Sequence, residues 1–122
     1  MVDLLNNKTS SSAEFVLWEK AYPVPKETNI VVNATSVGMY PSPDKPNIDY
    51  STLLDNMVIC DAVHNPPQTP FLIEAAKKGC KTLDGFSMLV NQGAISFKIW
   101  TGQDAPVDVM SKALANEFNV VI

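Results

Sequence analysis

The sequence predicts an α/β domain in which helices pack on a parallel sheet. The segment IVVNAT (30–35) is continuously apolar at 30–32, as a strand covered on both faces should be, and MVICDAV (57–63) is a second candidate for a buried strand. A helical segment, TPFLIEAAKKG (69–79), separates the second strand from a third, KTLDG (81–85). Strands connected by helices or long crossovers pair in parallel. We therefore expect one parallel sheet flanked by helices.

The segments before and between the first two strands carry weaker signals. Residues 1–12 are polar and suit a frayed helix end followed by a loop, and AEFVLW (13–18) has the composition of a strand. In YPVPKET (22–28) two prolines argue against regular pairing. Residues 40–50, YPSPDKPNIDY, contain three prolines and are predicted to be a loop.

Start and stop signals define the helix between the second and third strands. Thr69 is a good N-cap, and Pro70 suits the first helical position. Two lysines occupy the last turn, and Gly79 provides the stop.

Two further helices are predicted toward the C-terminus. SMLVNQGAISFKIW (87–100) has helical character, and since residues 86–97 contain no charge we expect this helix to be covered nearly all round. Pro106 opens the last helix, which runs to about Phe118. Its apolar stripe consists of Val107, Met110, Leu114 and Phe118.

Composition excludes several classes of function. The 122 residues suffice for one small domain, and no stretch approaches the roughly 18 apolar residues of a membrane span. All nine basic residues are scattered lysines and the net charge is −4, which argues against nucleic-acid binding. The N-terminus lacks signal-peptide character, so a cytoplasmic location is expected. Cys60 and Cys80 are expected to be buried thiols and not a disulfide or a metal pair.

The candidate binding residues follow the three predicted strands. Ligands of parallel α/β sheets bind at the carboxyl ends of the strands, so side chains just beyond those ends face whatever is bound. These side chains are Asn33, Thr35 and Ser36 after the first strand, His64 and Asn65 after the second, and Asp84 and Gly85 after the third.

Residue types alone leave two interpretations of most of these positions. In NATSVG (33–38) the Asn and Thr either cap backbone groups, with Gly38 at positive φ, or face a ligand. The single histidine, His64, is either a turn residue bonded to backbone or part of a site, and one histidine makes no metal site. Asp61 and Asp84 are either acid–base groups or acceptors of backbone N–H bonds.

Gln92 lies within the uncharged helical segment 87–100. We expect this amide to be buried and therefore to have a partner, because an unsatisfied buried amide costs about 1–3 kcal/mol. The partner is either a neighbouring loop or a hydroxylated ligand.

Three stretches taken together resemble the C-terminal part of shikimate dehydrogenases and the related quinate/shikimate dehydrogenases. They are VVNATSVGM (31–39), CDAVHNPPQTPFLIEAAKKGCKTLDG (60–85) and FSMLVNQGAISFKIWTG (86–102). The resemblance covers residues 28–118 and is specific in the combination of N-A-T-x-x-G-M with a later D-G-x-x-M-L-V-x-Q-G. It implies a Rossmann-like cofactor domain of an enzyme that reversibly reduces 3-dehydroshikimate to shikimate with NADPH.

The resemblance also implies roles for individual residues. The loop Asn33-Ala34-Thr35-Ser36 lies along the ribose and nicotinamide side of NADP. Val63 and Gly85 flank the nicotinamide, and Met88 and Leu89 pack near it. Gln92 hydrogen-bonds a ring hydroxyl of the substrate, shikimate or quinate. His64 stands where many relatives have Tyr in a V-Y-N-P turn, and it is kept as a candidate substrate contact.

Other parts of the family's machinery precede the region that matches. These are the catalytic Lys and Asp, the Ser-rich carboxylate site, the Gly-rich phosphate turn and the basic selector for the 2′-phosphate. No catalytic residue is therefore assigned. Residues 1–122 are expected to form the C-terminal part of the nucleotide-binding domain, without the substrate domain, and to be inactive alone. The rival interpretations are a stand-alone nucleotide-binding module and a self-associating, non-catalytic domain; we expect a homo-oligomer.

Overall fold

Three parallel strands form the central sheet of the protein, whose structure is a computed structural model that describes residues 1–119. The strands are β1 (Tyr22–Pro23), β2 (Ile30–Asn33), β3 (Ile48–Asp49), β4 (Val58–Asp61) and β5 (Lys81–Leu83). The helices are α1 (Val2–Lys8), α2 (Pro70–Lys77), α3 (Phe86–Thr101) and α4 (Val107–Phe118), with a 3-10 turn at Tyr50–Thr52. The sheet has the order β2-β4-β5, and β1 pairs with β3 separately. All pairings are parallel, which confirms the predicted α/β class.

The three predicted strands of the central sheet are present, but only one face of the sheet is covered. Val31 packs against the core beneath α2, and Ile59 is fully buried there. On the opposite face, Ile30 and Val32 are 60% and 57% exposed. The expectation that the first strand is covered on both faces is therefore wrong for residues 1–119, because α2 lies on one side only.

The N-terminal predictions were partly wrong. Helix α1 confirms the helix end expected within residues 1–12. The strand predicted at 13–18 is absent: Phe15 and Leu17 are 73% and 80% exposed, and no described strand pairs with this segment to satisfy its backbone.

Proline-rich segments were expected to avoid pairing, yet β1 and β3 pair within them. At the start of this pairing the Tyr22 N–H donates to the Asn47 carbonyl at 3.0 Å. The missing N–H of Pro23 is not required in such a short edge strand.

Helix α2 begins and ends as its sequence predicts. The Thr69 hydroxyl accepts from the Leu72 N–H at 3.3 Å, Pro70 takes the first position, and Gly79 adopts a φ of +82° just after the helix. Its buried side chains pack over β4 and the segments around it. The resulting core consists of Val24, Ile48, Leu53, Met57, Ile59, Phe71, Leu72, Ala75 and Cys80.

Helices α3 and α4 pack on each other and form a second, smaller core. It contains Phe86, Val90 and Ala115, with Met110, Leu114 and Phe118 at its border. Val107, predicted in the same stripe, is 41% exposed. The expectation that α3 is covered nearly all round is wrong, since Ile95, Ile99 and Trp100 are 62%, 75% and 82% exposed. None of the helices within residues 1–119 has the length and apolarity that a membrane crossing requires.

The two cysteines are free thiols in different environments. Cys80 is buried in the core under α2, and its thiol donates to the Leu54 carbonyl at 3.2 Å. The expectation that Cys60 is buried is wrong: it is only half-buried, because it is aligned with Val32 on the face of the sheet opposite α2.

Tyr50 connects the 3-10 turn to the core. Its hydroxyl donates to the Pro46 carbonyl at 2.9 Å, and its ring meets Phe71 edge-on with 6.3 Å between centroids. Burial, with smaller contributions from the negative charges of Glu74 and Asp61, raises the pKa of Tyr50 to about 12.

We predict a loss of stability in alkaline solution that depends on Tyr50. The pKa is raised on folding, so the neutral phenol stabilises the fold fully below the unfolded-state pKa of about 10, and this contribution is lost as the pH rises toward 12. Urea unfolding between pH 8 and 12 should show a steeper decline for the wild-type chain than for Tyr50→Phe. Identical declines would contradict the prediction.

Candidate functional site

The carboxyl ends of β2, β4 and β5 meet at one edge of the sheet, which we call the rim. It comprises residues 33–37, 61–65 and 84–89, the segments that leave the three strands. Asn33 and Asp61, the last residues of β2 and β4, are directly aligned in register. The predicted convergence of the strand ends is thus present in the backbone.

A buried carboxylate ties the rim together. Asp61 is 3% exposed, and its Oδ1 accepts from Asn33 Nδ2 and from the Val63 N–H, both at 2.9 Å. Its Oδ2 accepts from Thr69 Oγ1 at 2.6 Å. One side chain thereby joins the end of β2, the exit of β4 and the start of α2. Of the two interpretations of Asp61, the structure supports the acceptor of hydrogen bonds.

The loop after β2 is closed by its own polar side chains. Asn33 Oδ1 accepts from the N–H of Thr35 at 3.2 Å and from its hydroxyl at 2.7 Å. The Asn33 amide also donates to the Val37 carbonyl at 3.0 Å, and the Thr35 hydroxyl accepts from the Val37 N–H at 3.1 Å. Gly38 follows with a φ of +93°. The capping interpretation of NATSVG therefore holds for Asn33 and Thr35.

Gly85 brings the start of α3 against the exit of β4. A Cβ at this position would lie 2.7 Å from the Val63 carbonyl oxygen and 2.8 Å from that of Ala62. The φ of Gly85 is −81°, so close packing and not backbone conformation requires a glycine here. Asp84 accepts from the Phe86 N–H at 3.1 Å and so supports the first turn of α3.

The structure brings the candidate cofactor residues to the rim with different exposures. Val63 is 1% exposed and Gly85 is buried beside it. Ala34 and Ser36 are exposed at the tip of the loop that Asn33 closes.

The candidates on α3 lie beyond this contact. Met88 is 48% exposed and Leu89 is half-buried in the first turn. Gln92 lies one turn after Met88 and on the same helix face. It is exposed, so the expectation of a buried amide is wrong, because residues 1–119 supply no cover for this face. His64 is half-buried in the turn after β4.

The sequence predicts only one of the two hydrogen bonds that the Thr69 hydroxyl forms. Its N-cap position predicts the bond from the Leu72 N–H, whereas its donation to Asp61 is a contact across eight residues. The sequence feature that could have predicted the Thr69–Asp61 bond is an Asp at the end of an apolar strand, shortly before a helix with a Thr N-cap.

Ala34, Thr35, Ser36 and Met88 are exposed at the rim. A concave region of about 590 Å³ lies elsewhere. It is lined by Tyr22, Pro23, Val24, Pro25, Lys26, Ser51, Thr52 and Leu54. Within residues 1–119 no group of three or more His, Cys, Asp or Glu side chains could hold a metal ion.

Comparison with known proteins connects this geometry to an enzyme family. The family model for the shikimate 5'-dehydrogenase C-terminal domain matches residues 85–115. The shikimate dehydrogenase (NADP(+)) of Methanococcus aeolicus is 45% identical over 87 residues, which is 70% of this chain and 31% of that protein. The chain thus spans about a third of the length of this relative.

Two solved structures resemble the fold. The ligand-free 5-ketofructose reductase of Gluconobacter sp. strain CHM43 is 40% identical with a TM-score of 0.85, over 96% of this chain and 42% of that one. A shikimate dehydrogenase in complex with NADP+ is 42% identical with a TM-score of 0.69, over 74% of this chain and 32% of that one.

We predict that Asp61→Asn destabilises the protein markedly. The amide cannot accept from all three donors, and each unsatisfied buried group costs about 1–3 kcal/mol. Urea unfolding measures the change, and Asp104→Asn, at an exposed ion pair with Lys98, is the control with little expected effect. Equal stability of Asp61→Asn and wild type would contradict the role of Asp61.

A pair of glycine substitutions in and before α3 should have opposite effects. Gly85→Ala forces its Cβ into the Val63 carbonyl and should cost about 1–3 kcal/mol. The Cβ of Gly93→Ala would lie in ordinary contact with Met110 Cε at 3.5 Å. Because alanine loses less backbone entropy than glycine in a helix, this substitution should stabilise the protein by about 0.5–1 kcal/mol. Thermal unfolding of both variants tests this, and a neutral Gly85→Ala would show that the contact is not tight.

Proposed function

Because this chain belongs to the shikimate dehydrogenase family and carries part of its C-terminal domain, we propose that it forms one wall of a hydride-transfer site. The reaction is the reversible reduction of 3-dehydroshikimate to shikimate with NADPH. The observation that carries the proposal is the rim, where Asp61 fixes Asn33 and Val63 beside Gly85. Residues 1–122 represent the later part of a Rossmann-like nucleotide-binding domain.

The chemistry of the rim fits the nicotinamide end of NADP(H) and not its phosphates. The exposed groups next to the strand ends are small and uncharged, namely Ala34 and Ser36, and Met88 adds an apolar surface. No lysine or arginine occurs in the rim segments. When bound, NADPH supplies the hydride.

The rim residues divide into two roles in this proposal. Asn33 and Thr35 shape the loop, because their side chains form hydrogen bonds within it. Ala34 and Ser36 make the contacts along the ribose and nicotinamide side of the cofactor. Val63 and Gly85 form the floor against which the ring rests.

Residues of α3 and the β4 exit complete the wall. Met88 and Leu89 pack near the nicotinamide, and Gln92 donates from its amide to a ring hydroxyl of the substrate. His64 lies in the turn after β4, and we assign it a contact to the same substrate. Placing the reacting groups in this way is the contribution of the chain, because hydride transfer depends on their distance and orientation.

Protonation of the developing alkoxide comes from another part of the assembled site. Asp61, the buried carboxylate of the rim, already accepts three hydrogen bonds. Residues 1–122 also contain no G-x-G-x-x-G turn, the motif that binds a pyrophosphate at a helix N-terminus. We expect the chain alone to show no turnover.

A second candidate substrate is a polyhydroxy ketone. The observation that favours it is that the 5-ketofructose reductase matches 96% of this chain, whereas the shikimate dehydrogenase with NADP+ matches 74%. The hydride-transfer chemistry and the rim residues are the same for both substrates.

Two chimeras test the proposal. In each chimera this chain replaces the matching segment of a relative, either the Methanococcus aeolicus enzyme or the Gluconobacter enzyme. NADP(H)-dependent turnover is then measured with shikimate and with 5-ketofructose. We expect activity with shikimate, and Gln92→Ala should lower kcat/KM about tenfold, mainly through KM. Asn91→Ala, the neighbouring amide, is the control.

Other outcomes separate the alternatives. Turnover with 5-ketofructose alone favours the second candidate, and inactivity of both folded chimeras refutes the hydride-transfer site. Fluorescence titration of the isolated chain with NADPH showing submillimolar affinity would favour a stand-alone nucleotide-binding module.

A further inference from the structure

Thr69 is a polar side chain that is completely buried at the start of α2. It is 0% exposed, whereas threonine is mostly an exposed residue in folded proteins. Its position as N-cap does not require this burial, because capping requires only that the hydroxyl reach an N–H of the first turn. The burial of Thr69 therefore indicates a second role.

The two hydrogen bonds of the Thr69 hydroxyl differ in strength. The hydroxyl accepts from the Leu72 N–H at 3.3 Å, which is longer than the usual range of about 2.7–3.2 Å for such a bond. It donates to Asp61 Oδ2 at 2.6 Å, the length of a strong bond between a hydroxyl and a carboxylate. The hydroxyl is thus placed for Asp61 more than for the cap.

The bond from Thr69 fixes the rotation of the Asp61 carboxylate. The last torsion of an aspartate has only a broad preference, so its own sterics do not determine where the two oxygens lie. Thr69 holds Oδ2, and Oδ1 is then directed at Asn33 Nδ2 and the Val63 N–H, each 2.9 Å away. The orientation of Asn33 and Val63 therefore depends, through Asp61, on the Thr69 hydroxyl.

Thr69 also lies beside the far end of the loop after β2. A Cβ built on Gly38 would be 3.9 Å from Thr69 Cβ, which is an ordinary van der Waals contact distance. Asn33 ties the beginning of this loop to Asp61, and Thr69 supports its end. One buried side chain thus acts on both ends of the loop that carries Ala34 and Ser36.

We propose that Thr69 is a positioning residue that orders the rim for hydride transfer. It is too deeply buried to touch a cofactor, so it acts through Asp61 on Asn33 and Val63. The catalytic consequence rests on the proposed function, whereas the ordering of the rim is measurable without a cofactor.

The competing explanation is that Thr69 caps α2 and does nothing else. Gly79→Ala, at the other end of α2, is the matched control for a weakened helix end. Gly79 has a φ of +82°, a conformation that is unfavourable for alanine, and the substitution does not touch the rim. If Thr69 is only a cap, Thr69→Val and Gly79→Ala should both lower stability and leave the rim unchanged.

Hydrogen exchange of the isolated chain, followed by NMR at single amides, tests the ordering of the rim. The Val63 N–H reports the bond to Asp61, and the Val58 N–H, which donates to the Asn29 carbonyl at 2.9 Å at the other end of β4, is the reference. In Thr69→Val, which has nearly the same shape but no hydroxyl, Val63 should exchange about tenfold faster relative to Val58. Thr69→Ser and Gly79→Ala should keep the wild-type ratio.

Thr69→Cys keeps the test decisive if Thr69→Val does not fold. A thiol is a weaker donor than a hydroxyl, so the Asp61 bond is weakened and not abolished. The expected change in the ratio of Val63 to Val58 exchange has the same direction.

Kinetics in the Methanococcus aeolicus chimera test the catalytic consequence. Thr69→Val should lower kcat about tenfold, because hydride transfer depends on the placement of the nicotinamide. KM for NADPH should stay close to the wild-type value, because the rim does not hold the phosphates. The kinetic isotope effect with NADPH deuterated at the transferred position should rise. Thr69→Ser should restore kcat, and Gly79→Ala should leave it unchanged.

Three results would overturn the inference. The first is an unchanged ratio of Val63 to Val58 exchange in Thr69→Val. The second is an equal change of that ratio in Gly79→Ala, because this would assign Thr69 to the cap alone. The third is faster exchange of Val63 in Thr69→Val with an unchanged kcat in the chimera. Faster exchange of Val63 together with an inactive wild-type chimera would support the ordering of the rim by Thr69 and refute the proposed function.

Discussion

The constraint on which the site depends is the buried carboxylate of Asp61. A charge that is 3% exposed needs full compensation, and here three donors provide it from three different elements. The same bonds that satisfy the charge therefore fix the end of β2, the exit of β4 and the start of α2 relative to one another. Stability and the shape of the rim have a common physical origin in this side chain.

The rim is also the junction between two separate cores. The core under α2 and the core between α3 and α4 share no buried residue, and the approach of Gly85 to the Ala62 and Val63 carbonyls joins them. Because Gly85 has no side chain, the first turn of α3 can approach the sheet this closely. Met88, in that turn, is placed by this contact rather than by a large interface.

Local sequence signals predicted the elements well and their surroundings poorly. Apolar runs and capping residues located β2, β4 and α2 because these features act within a few residues. The same apolar runs predicted full coverage of β2 and α3, and this was wrong for the described chain. An apolar segment indicates which side chains tend to be buried. It does not indicate whether another helix or strand is present to cover them. Residues 13–18 show the same limit, since a strand without a neighbour does not form.

The uncharged ending of β2 now has a physical explanation that sequence alone left open. The location of Asn33 and Thr35 at a strand end was predictable, but the use of their donors was not, because it depends on Asp61 lying in register on β4. An aspartate at position 33 would repel Asp61 and would remove the donor that Asn33 supplies to Asp61 Oδ1. Asn33 instead bonds to Asp61 and to its own loop at once, so the loop presents Ala34 and Ser36 outward without charge. A neutral, preorganised surface of this kind suits the flat nicotinamide ring better than a phosphate.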